Sequence, residues 1–265
     1  MKVSLLIVDP QNDFCHPNGA LFVPGANEDM QRLSKWIQKY HQKLDEIHVT
    51  LDSHRLFDVA HPIFWKNDKG ENPAPFTLIS VDMVKNGEWV PTVQALTKRM
   101  IDYVEMLEKN GRYPLCIWPP HCLIGSWGHG IVTELYTALM EWEKIPPAMV
   151  NYVAKGSNPY TEHYSAIKAD VPDSADDSTQ LNTKLIADLM KADMIVIAGE
   201  ASSHCVANTI RDIANEFGDD SLVKKFVYLE DCCSPVPMFE QFETDFIAEM
   251  KSRGMQISNT NNLFF

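Results

Sequence analysis

The sequence predicts an α/β protein in which helices cover both faces of a parallel β-sheet. Short apolar runs rich in β-branched residues, such as 194–198, are typical of strands buried in a parallel sheet. Between these runs lie segments whose apolar residues recur at helical spacing, and this alternation favours a parallel sheet with right-handed crossovers. The pattern contains no internal repeat and no second core, so we expect a single domain spanning 1–265.

The first strand and the first long helix are followed by a second strand. The apolar run at 3–9 ends on Asp9 and leads into a polar loop rich in Pro and Gly. A helix is expected from about Asn27, and the strand at 46–51 is also followed by an acid, Asp52. The apolar face of the helix consists of Met30, Leu33, Trp36, Ile37 and Tyr40.

After Asp52 the periodic pattern stops until about residue 92. Prolines and glycines interrupt this segment, but its many aromatic residues argue against disorder. We therefore expect an ordered excursion over the rim of the sheet, with 63–92 as a lid-like insertion. A helix resumes at Val93 and closes at Asn110-Gly111, a pair typical of a helix C-terminus.

The second half of the chain continues the alternation of strands and helices. A short extended run at 115–122 is stopped by two prolines. The remaining strands are expected at 149–154, 194–198, 226–229 and 255–258. The remaining helices are expected around 131–142, 181–189, 205–213 and 239–250.

The composition narrows the classes of partner and compartment. A net charge of −13 argues against nucleic acid and against an anionic membrane surface as partners. No apolar run is long enough for a membrane span, and the first residues read as a core strand rather than a signal peptide. Six cysteines in 265 residues do not make a disulfide framework, so we expect a reducing, cytoplasmic location.

Cys205 occupies the position where a predicted strand gives way to the first turn of a helix. In an open α/β sheet this rim is where ligands bind. The dipole and the unpaired N–H groups of a helix N-terminus favour the thiolate, so we expect a lowered thiol pKa and a nucleophilic role. The alternative is a small buried hydrophobic residue, which is a common role for a free cysteine.

Three further side chains stand at the ends of predicted strands, namely Asp9, Asp52 and Lys155. The carboxyl ends of parallel strands share one edge of the sheet, so these residues could meet Cys205. Asp9 could then accept the thiol proton and later return it to a leaving group, while Lys155 could hold the thiolate. Taken singly, an acid that caps a loop or a solvated lysine stays an open alternative.

Asp52 also belongs to a group of candidate metal ligands. In Asp52-Ser-His54 the two outer side chains point the same way on an extended segment, and His61 and His121 follow in the chain. One carboxylate with two or three imidazoles suits a divalent metal ion, of which zinc, iron and manganese all accept such ligands. We expect zinc in the first place. The alternative for each histidine is an ordinary core or surface position.

The chain carries five ordered motifs that occur together in one known superfamily. They are Asp9-Pro-Gln-Asn-Asp-Phe-Cys, Asp52-Ser-His54, Trp118-Pro-Pro-His-Cys, Lys155-Gly and Gly199-Glu-Ala-Ser-Ser-His-Cys205-Val. They resemble the motifs of the isochorismatase-like cysteine hydrolases, most similarly the nicotinamidases, and the likeness extends from residue 5 to about 233. The resemblance implies a three-layer α/β/α Rossmann-like fold with a six-stranded parallel sheet in the order 3-2-1-4-5-6.

The resemblance also implies roles for individual residues. It implies a cis peptide before Ala201, with the N–H groups of Ala201 and Cys205 as the oxyanion hole; Glu200 stands where an apolar residue is usual. A homo-oligomer is implied as well. The implied catalytic triad is Asp9, Lys155 and Cys205; the implied metal ligands are Asp52, His54 and His121, with His61 as a fourth; the implied pocket residues are Phe14, Trp118 and Tyr164.

The function that these observations predict is that of a metal-containing cysteine amidohydrolase. It would hydrolyse a small carboxamide such as nicotinamide to the acid and ammonia through a Cys205 thioester. A related hydrolase acting on another small amide, carbamoyl or ureido compound is the alternative. A non-catalytic binding protein on the same fold is a further alternative, and a thiol redox protein lacks the required CxxC pair.

Overall fold

A six-stranded parallel sheet forms the centre of the computed structural model, which describes residues 1–263. Its strands are β1 (Val3–Val8), β2 (Glu46–Asp52), β3 (Asn151–Lys155), β4 (Met194–Gly199), β5 (Phe226–Leu229) and β6 (Gln256–Ser258). Their order across the sheet is β3-β2-β1-β4-β5-β6. The predicted α/β class and strand order are confirmed.

Helices cover both faces of this sheet. Right-handed crossovers place the long helix after β1 and the last helix before β3 on one face, and the helices that link β3 through β6 on the other. The helices are α1 (Asn12–Cys15), α2 (Ala26–Tyr40), α3 (Val81–Lys85), α4 (Thr97–Asn110), α5 (Thr133–Glu143), α6 (Thr183–Met190), α7 (Cys205–Phe217), α8 (Asp220–Val223) and α9 (Glu240–Ser252). Accordingly α2 packs against α5, whereas α7 packs against α6 and α9.

The strand register brings several strand ends to one edge of the sheet. Val8 at the end of β1 lies opposite Gly199 at the end of β4, and Asp52 at the end of β2 lies opposite Lys155 at the end of β3. Every residue of β1 is buried, as expected for a central strand with helices on both faces. This edge therefore gathers the polar residues that follow the strands.

The segment between β2 and α5 supplies most of a hydrophobic cluster that is separate from the main core. The expectation of a single core was wrong, because the strands that support this cluster are only two residues long and leave no periodic pattern. Trp65–Lys66 pairs with Val90–Pro91, and Leu78–Ile79 pairs with Leu115–Cys116, both antiparallel. The cluster is formed by Val59, Phe64, Trp65, Ile79, Val84, Met100, Tyr103, Val104, Leu107, Leu115, Ile117 and Val171.

In the described part of the chain, no helix has both the length and the apolar character needed to cross a membrane. All six cysteines fall within residues 1–263, and each is a buried thiol without a disulfide.

Gly199 ends β4 at a point where a side chain has no room. Its φ of +117° is a left-handed value, and a Cβ there would collide with the main chain of Val8. We expect Gly199→Ala to lower the free energy of unfolding by at least about 2 kcal/mol, measured by chemical denaturation. Gly218 is the control, because it also has a positive φ (+66°) but open space around it. Equal losses in the two variants would contradict the proposed steric cause.

Candidate active site

Lys155 lies at the centre of the residues that the strand ends bring together. Its Nζ is 2.9 Å from Asp9 Oδ2, 3.1 Å from Asp52 Oδ1 and 3.6 Å from Cys205 Sγ. The ammonium also donates to the main-chain oxygen of His163 at 3.0 Å. All four strand-end side chains singled out from the sequence therefore meet in one buried cluster.

The two acids of this cluster differ in how readily they take up a proton. Burial alone would lower the pKa of Lys155, but Asp52 and Asp9 raise it well above its usual value, so the amine is an ammonium. Burial raises the pKa of Asp52, but His54 and Lys155 outweigh it and hold that pKa well below its usual range. For Asp9 burial prevails over Lys155, and the pKa of the carboxyl is raised. Asp9 is thus the acid that more readily takes up a proton.

Cys205 is the first residue of α7, but its thiol is not activated by the helix alone. Burial raises the pKa of the Cys205 thiol well above its usual value, although Lys155 opposes this shift. The expectation of a lowered pKa was wrong, because desolvation outweighs the helix N-terminus and the carboxylates of Asp9 and Asp52 add to it. Ligand atoms of Asp9, Asp52 and Cys205 all lie within 4.8 Å of one another, so a proton acceptor stands beside the thiol.

Thr50 of β2 and the polar loop after β1 hold the two acids in place. Thr50 Oγ1 donates to Asp9 Oδ1 at 2.5 Å and accepts from the Asp9 N–H at 3.0 Å. The side-chain amide of Gln11 donates to the main-chain oxygen of Asp52 and accepts from its N–H, both at 2.7 Å. Asp13 accepts from the N–H of Cys122 at 2.7 Å, which ties the loop to the segment that carries His121.

Asp52, His54 and His121 form a group that could hold a metal ion. Their ligand atoms lie within 4.8 Å of one another, and all three side chains are buried. His54 Nε2 is 3.0 Å and His121 Nε2 is 3.6 Å from Asp52 Oδ2, so both imidazoles face the same carboxylate oxygen.

The other ring nitrogen of each histidine has an oxygen partner. His54 Nδ1 is 3.1 Å from Asp58 Oδ2, and His121 Nδ1 is 2.9 Å from the main-chain oxygen of Pro119. Such partners orient each ring so that Nε2 becomes the ligand atom once it loses its proton, which is the arrangement of metal-binding histidines. Burial lowers the pKa of His54, but Asp52 and Asp58 outweigh it and raise that pKa well above its usual value, so a bound ion would replace the Nε2 proton of His54. The chemistry of this donor set fits a divalent metal ion such as zinc.

His61 lies against the same two imidazoles. Its ring centroid is 5.2 Å from that of His54 and 5.5 Å from that of His121, and its Nδ1 is 3.1 Å from the main-chain oxygen of Arg55. Its Nε2 is buried and has no hydrogen-bond partner among residues 1–263. Burial lowers the pKa of His61 to about 4, so the ring is neutral and can offer a lone pair.

A cavity lies above Cys205, and Phe14, Trp118 and Tyr164 line it together with Ala201. Trp118 Nε1 donates to the Tyr164 hydroxyl at 3.0 Å, which fixes both rings. The three aromatic residues chosen from the sequence therefore line the same cavity. Flat apolar walls of this kind suit a planar aromatic ligand.

The peptide bond between Glu200 and Ala201 is cis, as the resemblance implied. Ala201 lines the cavity beside Cys205. Within the described residues, neither of their N–H groups donates a hydrogen bond to another group of the protein. Two free donors therefore stand next to the thiol.

Comparison with known proteins shows which fold this is. No protein-family model matches the chain. A nicotinamidase from Saccharomyces cerevisiae is 25% identical over 206 residues, which is 78% of each protein. The crystal structure of the yeast nicotinamidase bound to the inhibitor nicotinaldehyde matches with a TM-score of 0.67 and 20% identity, over 97% of this chain and 99% of that one. The protein has the nicotinamidase fold. The predicted similarity to nicotinamidases is thereby confirmed.

The same nicotinamidase fold occurs in the pyrazinamidase of Pyrococcus horikoshii, whose structure was solved in complex with zinc. It matches with a TM-score of 0.58 and 21% identity, over 98% of this chain and 99% of that one.

Two titratable residues that line the cavity of this nicotinamidase fold, Glu162 and His204, were missed in the sequence. Burial raises the pKa of Glu162 to about 8, and its Oε2 has no partner in the described part of the chain. Burial lowers the pKa of His204 to about 3, and its neutral ring stacks on Tyr113 at 4.8 Å. Both lie in irregular segments or at a helix start, where periodicity gives no signal. Only their neighbours in the sequence, Tyr164 and Cys205, indicated that these positions lie near the site.

Proposed function

We propose that this protein is a cysteine amidohydrolase that cleaves a small carboxamide, such as nicotinamide, to the acid and ammonia. The contact of Lys155 Nζ with both Cys205 Sγ (3.6 Å) and Asp9 Oδ2 (2.9 Å) carries the proposal. It groups a nucleophile, a proton acceptor and a cation beneath an aromatic cavity. The similarity to a yeast nicotinamidase, solved with nicotinaldehyde bound, supports the reaction and a pyridine-sized substrate.

In the first half of the reaction, Cys205 forms a bond to the carboxamide carbon. Asp9 takes the thiol proton as sulfur attacks, and the carbonyl π electrons move onto oxygen. The N–H groups of Ala201 and Cys205 stabilise this oxyanion, and one such donor is typically worth about 3–4 kcal/mol of barrier. The Asp9 proton then passes to nitrogen, the C–N bond breaks, and ammonia leaves a thioester on Cys205.

In the second half, water hydrolyses the thioester. Asp9, again a carboxylate, takes a proton from water as its oxygen attacks the acyl carbon. The same two N–H groups stabilise the second oxyanion. The C–S bond breaks, the acid departs, and the Asp9 proton returns to the Cys205 sulfur. Lys155 keeps its positive charge throughout and stabilises the sulfur anion and the Asp9 carboxylate in turn.

Asp52, His54 and His121 would hold a divalent metal ion, with His61 as the fourth protein ligand. Zinc is our first expectation, supported by the zinc complex of the Pyrococcus horikoshii pyrazinamidase, and iron or manganese accept the same ligands. A bound ion supplies an anchor for a ring nitrogen of the substrate, which orients the carboxamide toward Cys205.

The direct test is ammonia release from a panel of small amides. We expect turnover of nicotinamide at a kcat of about 1 s⁻¹ or more, within the usual range of enzymes. The panel also contains carbamoyl and ureido compounds, because the same Cys205, Asp9 and Lys155 could act on them. Turnover of these alone would favour the alternative substrate class. Failure to release ammonia from every compound would contradict the amidohydrolase and favour a binding protein on this fold.

Metal analysis tests the ligand assignment. We expect about one divalent ion per chain in the purified protein, and a loss of metal affinity of more than about 100-fold in His54→Ala. His48→Ala is the matched control, because His48 is also a buried histidine but bonds Asn151 outside the cluster. Equal metal contents in the two variants would contradict the assignment. A smaller loss of metal affinity in His61→Ala than in His54→Ala would show that His61 contributes less to binding the ion.

Two broader expectations stay part of this proposal. The six buried, unpaired thiols are compatible with the reducing, cytoplasmic location that we propose. We also expect a homo-oligomer, which sedimentation of the purified protein would test.

A further inference from the structure

The carboxyl group of Glu200 is fully buried, one residue before the Ala201 N–H of the proposed oxyanion hole. Its Oε2 accepts a hydrogen bond from the N–H of Ser234 at 3.0 Å. Its Oε1 receives no hydrogen bond from any donor in residues 1–263. A carboxylate with one N–H donor and no cation would be strongly destabilised at this depth.

Asp29 of helix α2 lies on the other side of Glu200. The Asp29 carboxylate pairs with the guanidinium of Arg32 and accepts from Ser234 Oγ at 2.6 Å. Ser234 therefore donates to both acids and holds their carboxyl groups close together. A side-chain hydrogen bond between Glu200 and Asp29 raises the pKa of Glu200 and opposes the burial-driven rise in the pKa of Asp29. Two carboxylates cannot form that bond, so one of them carries a proton. Asp29 has a cation and a hydroxyl to stabilise its charge, so the proton belongs on Glu200.

The groups around Glu200 support the same assignment. Burial raises its pKa well above the usual value, and Asp29 adds to the shift. Within the described chain, Arg32 is the cation nearest to this pair, and it bonds Asp29 rather than Glu200. Five further titratable groups in the described chain interact with Glu200, and each is a thiol, a phenol or an acid: Cys15, Tyr228, Cys232, Cys233 and Glu243.

We propose that Glu200 is a positioning residue that, as a neutral acid, donates a hydrogen bond to Asp29 and so ties the Ala201 N–H to helix α2. A main-chain hydrogen bond also stabilises the segment around Ala201, because the Ser202 N–H donates to the main-chain oxygen of Ser234 at 3.0 Å. The inference rests on the proposed function, in which Ala201 is an oxyanion donor. Negative charge on the carbonyl oxygen of the substrate develops only in the transition state. Displacing the Ala201 N–H therefore lowers kcat more than it changes KM.

Two substitutions separate a hydrogen-bonding role from mere filling of space. In Glu200→Gln the amide can still donate to Asp29 and cannot ionise, so we expect kcat to stay within about threefold of the wild type at neutral pH. In Glu200→Ala the bond is lost, and we expect kcat to fall about 10- to 100-fold with little change in KM. Glu243→Gln is the control, because it removes a nearby acid that does not bond Asp29, and we expect kcat to be unchanged.

The pH profile gives a readout that a merely structural role would not change. The folded-state pKa of Glu200 is raised, so its stabilisation is complete below the unfolded value of about 4.5 and is lost as pH rises through the folded value. Ionised Glu200 would repel Asp29. We therefore expect the Tm and kcat of the wild type to decline with rising pH more steeply than those of Glu200→Gln. Identical pH profiles, or a Gln variant as impaired as the Ala variant, would overturn the inference.

An infrared spectrum of the substrate-free protein separates this inference from the proposed function. The difference between wild type and Glu200→Gln at neutral pH should contain the carbonyl stretch of a protonated carboxylic acid. Its absence would overturn the assignment of the proton even in an active enzyme. Wild type that releases no ammonia would instead contradict the proposed function, and with it the catalytic part of the inference, whatever the infrared difference contains.

Discussion

Replacing Cys205 with alanine is expected to lower kcat for amide hydrolysis by at least about 10³-fold, because no other group can form the thioester. Sγ is 3.6 Å from the Lys155 ammonium, and the first bond to the substrate is made there in our mechanism. Removing it leaves the contacts of Lys155 with Asp9 and Asp52 in place. The variant should therefore remain folded, with a Tm close to that of the wild type.

Cys116→Ala is the matched control for this experiment. Cys116 is also buried, and burial raises the pKa of its thiol to about 12, but it does not line the cavity. The control should retain kcat, although it loses some core packing. Ammonia release that persists in Cys205→Ala, or that disappears equally in Cys116→Ala, would contradict the assignment of Cys205 as nucleophile.

Replacing Asp9 with asparagine is expected to lower kcat by about 10²- to 10⁴-fold, the usual contribution of a positioned acid–base group. The amide keeps the size of the carboxyl and can still accept from Thr50 and Lys155, but it cannot take the Cys205 proton. Lys155 would retain its second acid, Asp52, 3.1 Å away. We therefore expect Asp9→Asn to remain folded, so that its loss of activity is not caused by unfolding.

The pH profile of the wild type provides a second test of Asp9. Its folded-state pKa is raised above the ordinary value of 3.8, so kcat/KM should fall as pH drops through that raised value, where the carboxyl becomes protonated. The residual activity of Asp9→Asn should lack this acidic limb. Asp212→Asn is the control, because Asp212 is a buried acid paired with Arg112 away from the cavity. A normal acidic limb in Asp9→Asn would contradict the role of Asp9.

The sequence was informative wherever a periodic pattern or a strand end specified a location. Asp9 and Asp52 follow or end buried strands, and Lys155 ends the edge strand β3. The parallel topology then requires these residues to share one edge with Cys205. Their convergence could be predicted without knowing any distance. The order of the six strands could not be derived from the periodic pattern. It was implied by the resemblance to the isochorismatase-like hydrolases.

Other features depend on burial in three dimensions and leave no local signal. The cluster around Trp65 is supported by two-residue strands, which are too short to have a period. The pKa of Cys205 depends on how completely the fold excludes water, and helix position alone gave the wrong sign. Phe76, in the expected lid-like insertion at 63–92, packs edge-to-face on Trp118 with ring centroids 5.7 Å apart. Its part in covering the cavity stays a prediction.

Mass spectrometry of the protein quenched with acid during turnover of nicotinamide would detect the Cys205 thioester itself. We expect a nicotinoyl group on the peptide that contains Cys205, present during turnover and gone once the substrate is consumed. Cys205→Ala should carry no such group. Rapid ammonia release with Cys205 unmodified at every time point, or with the acyl group on another residue, would contradict the thioester mechanism.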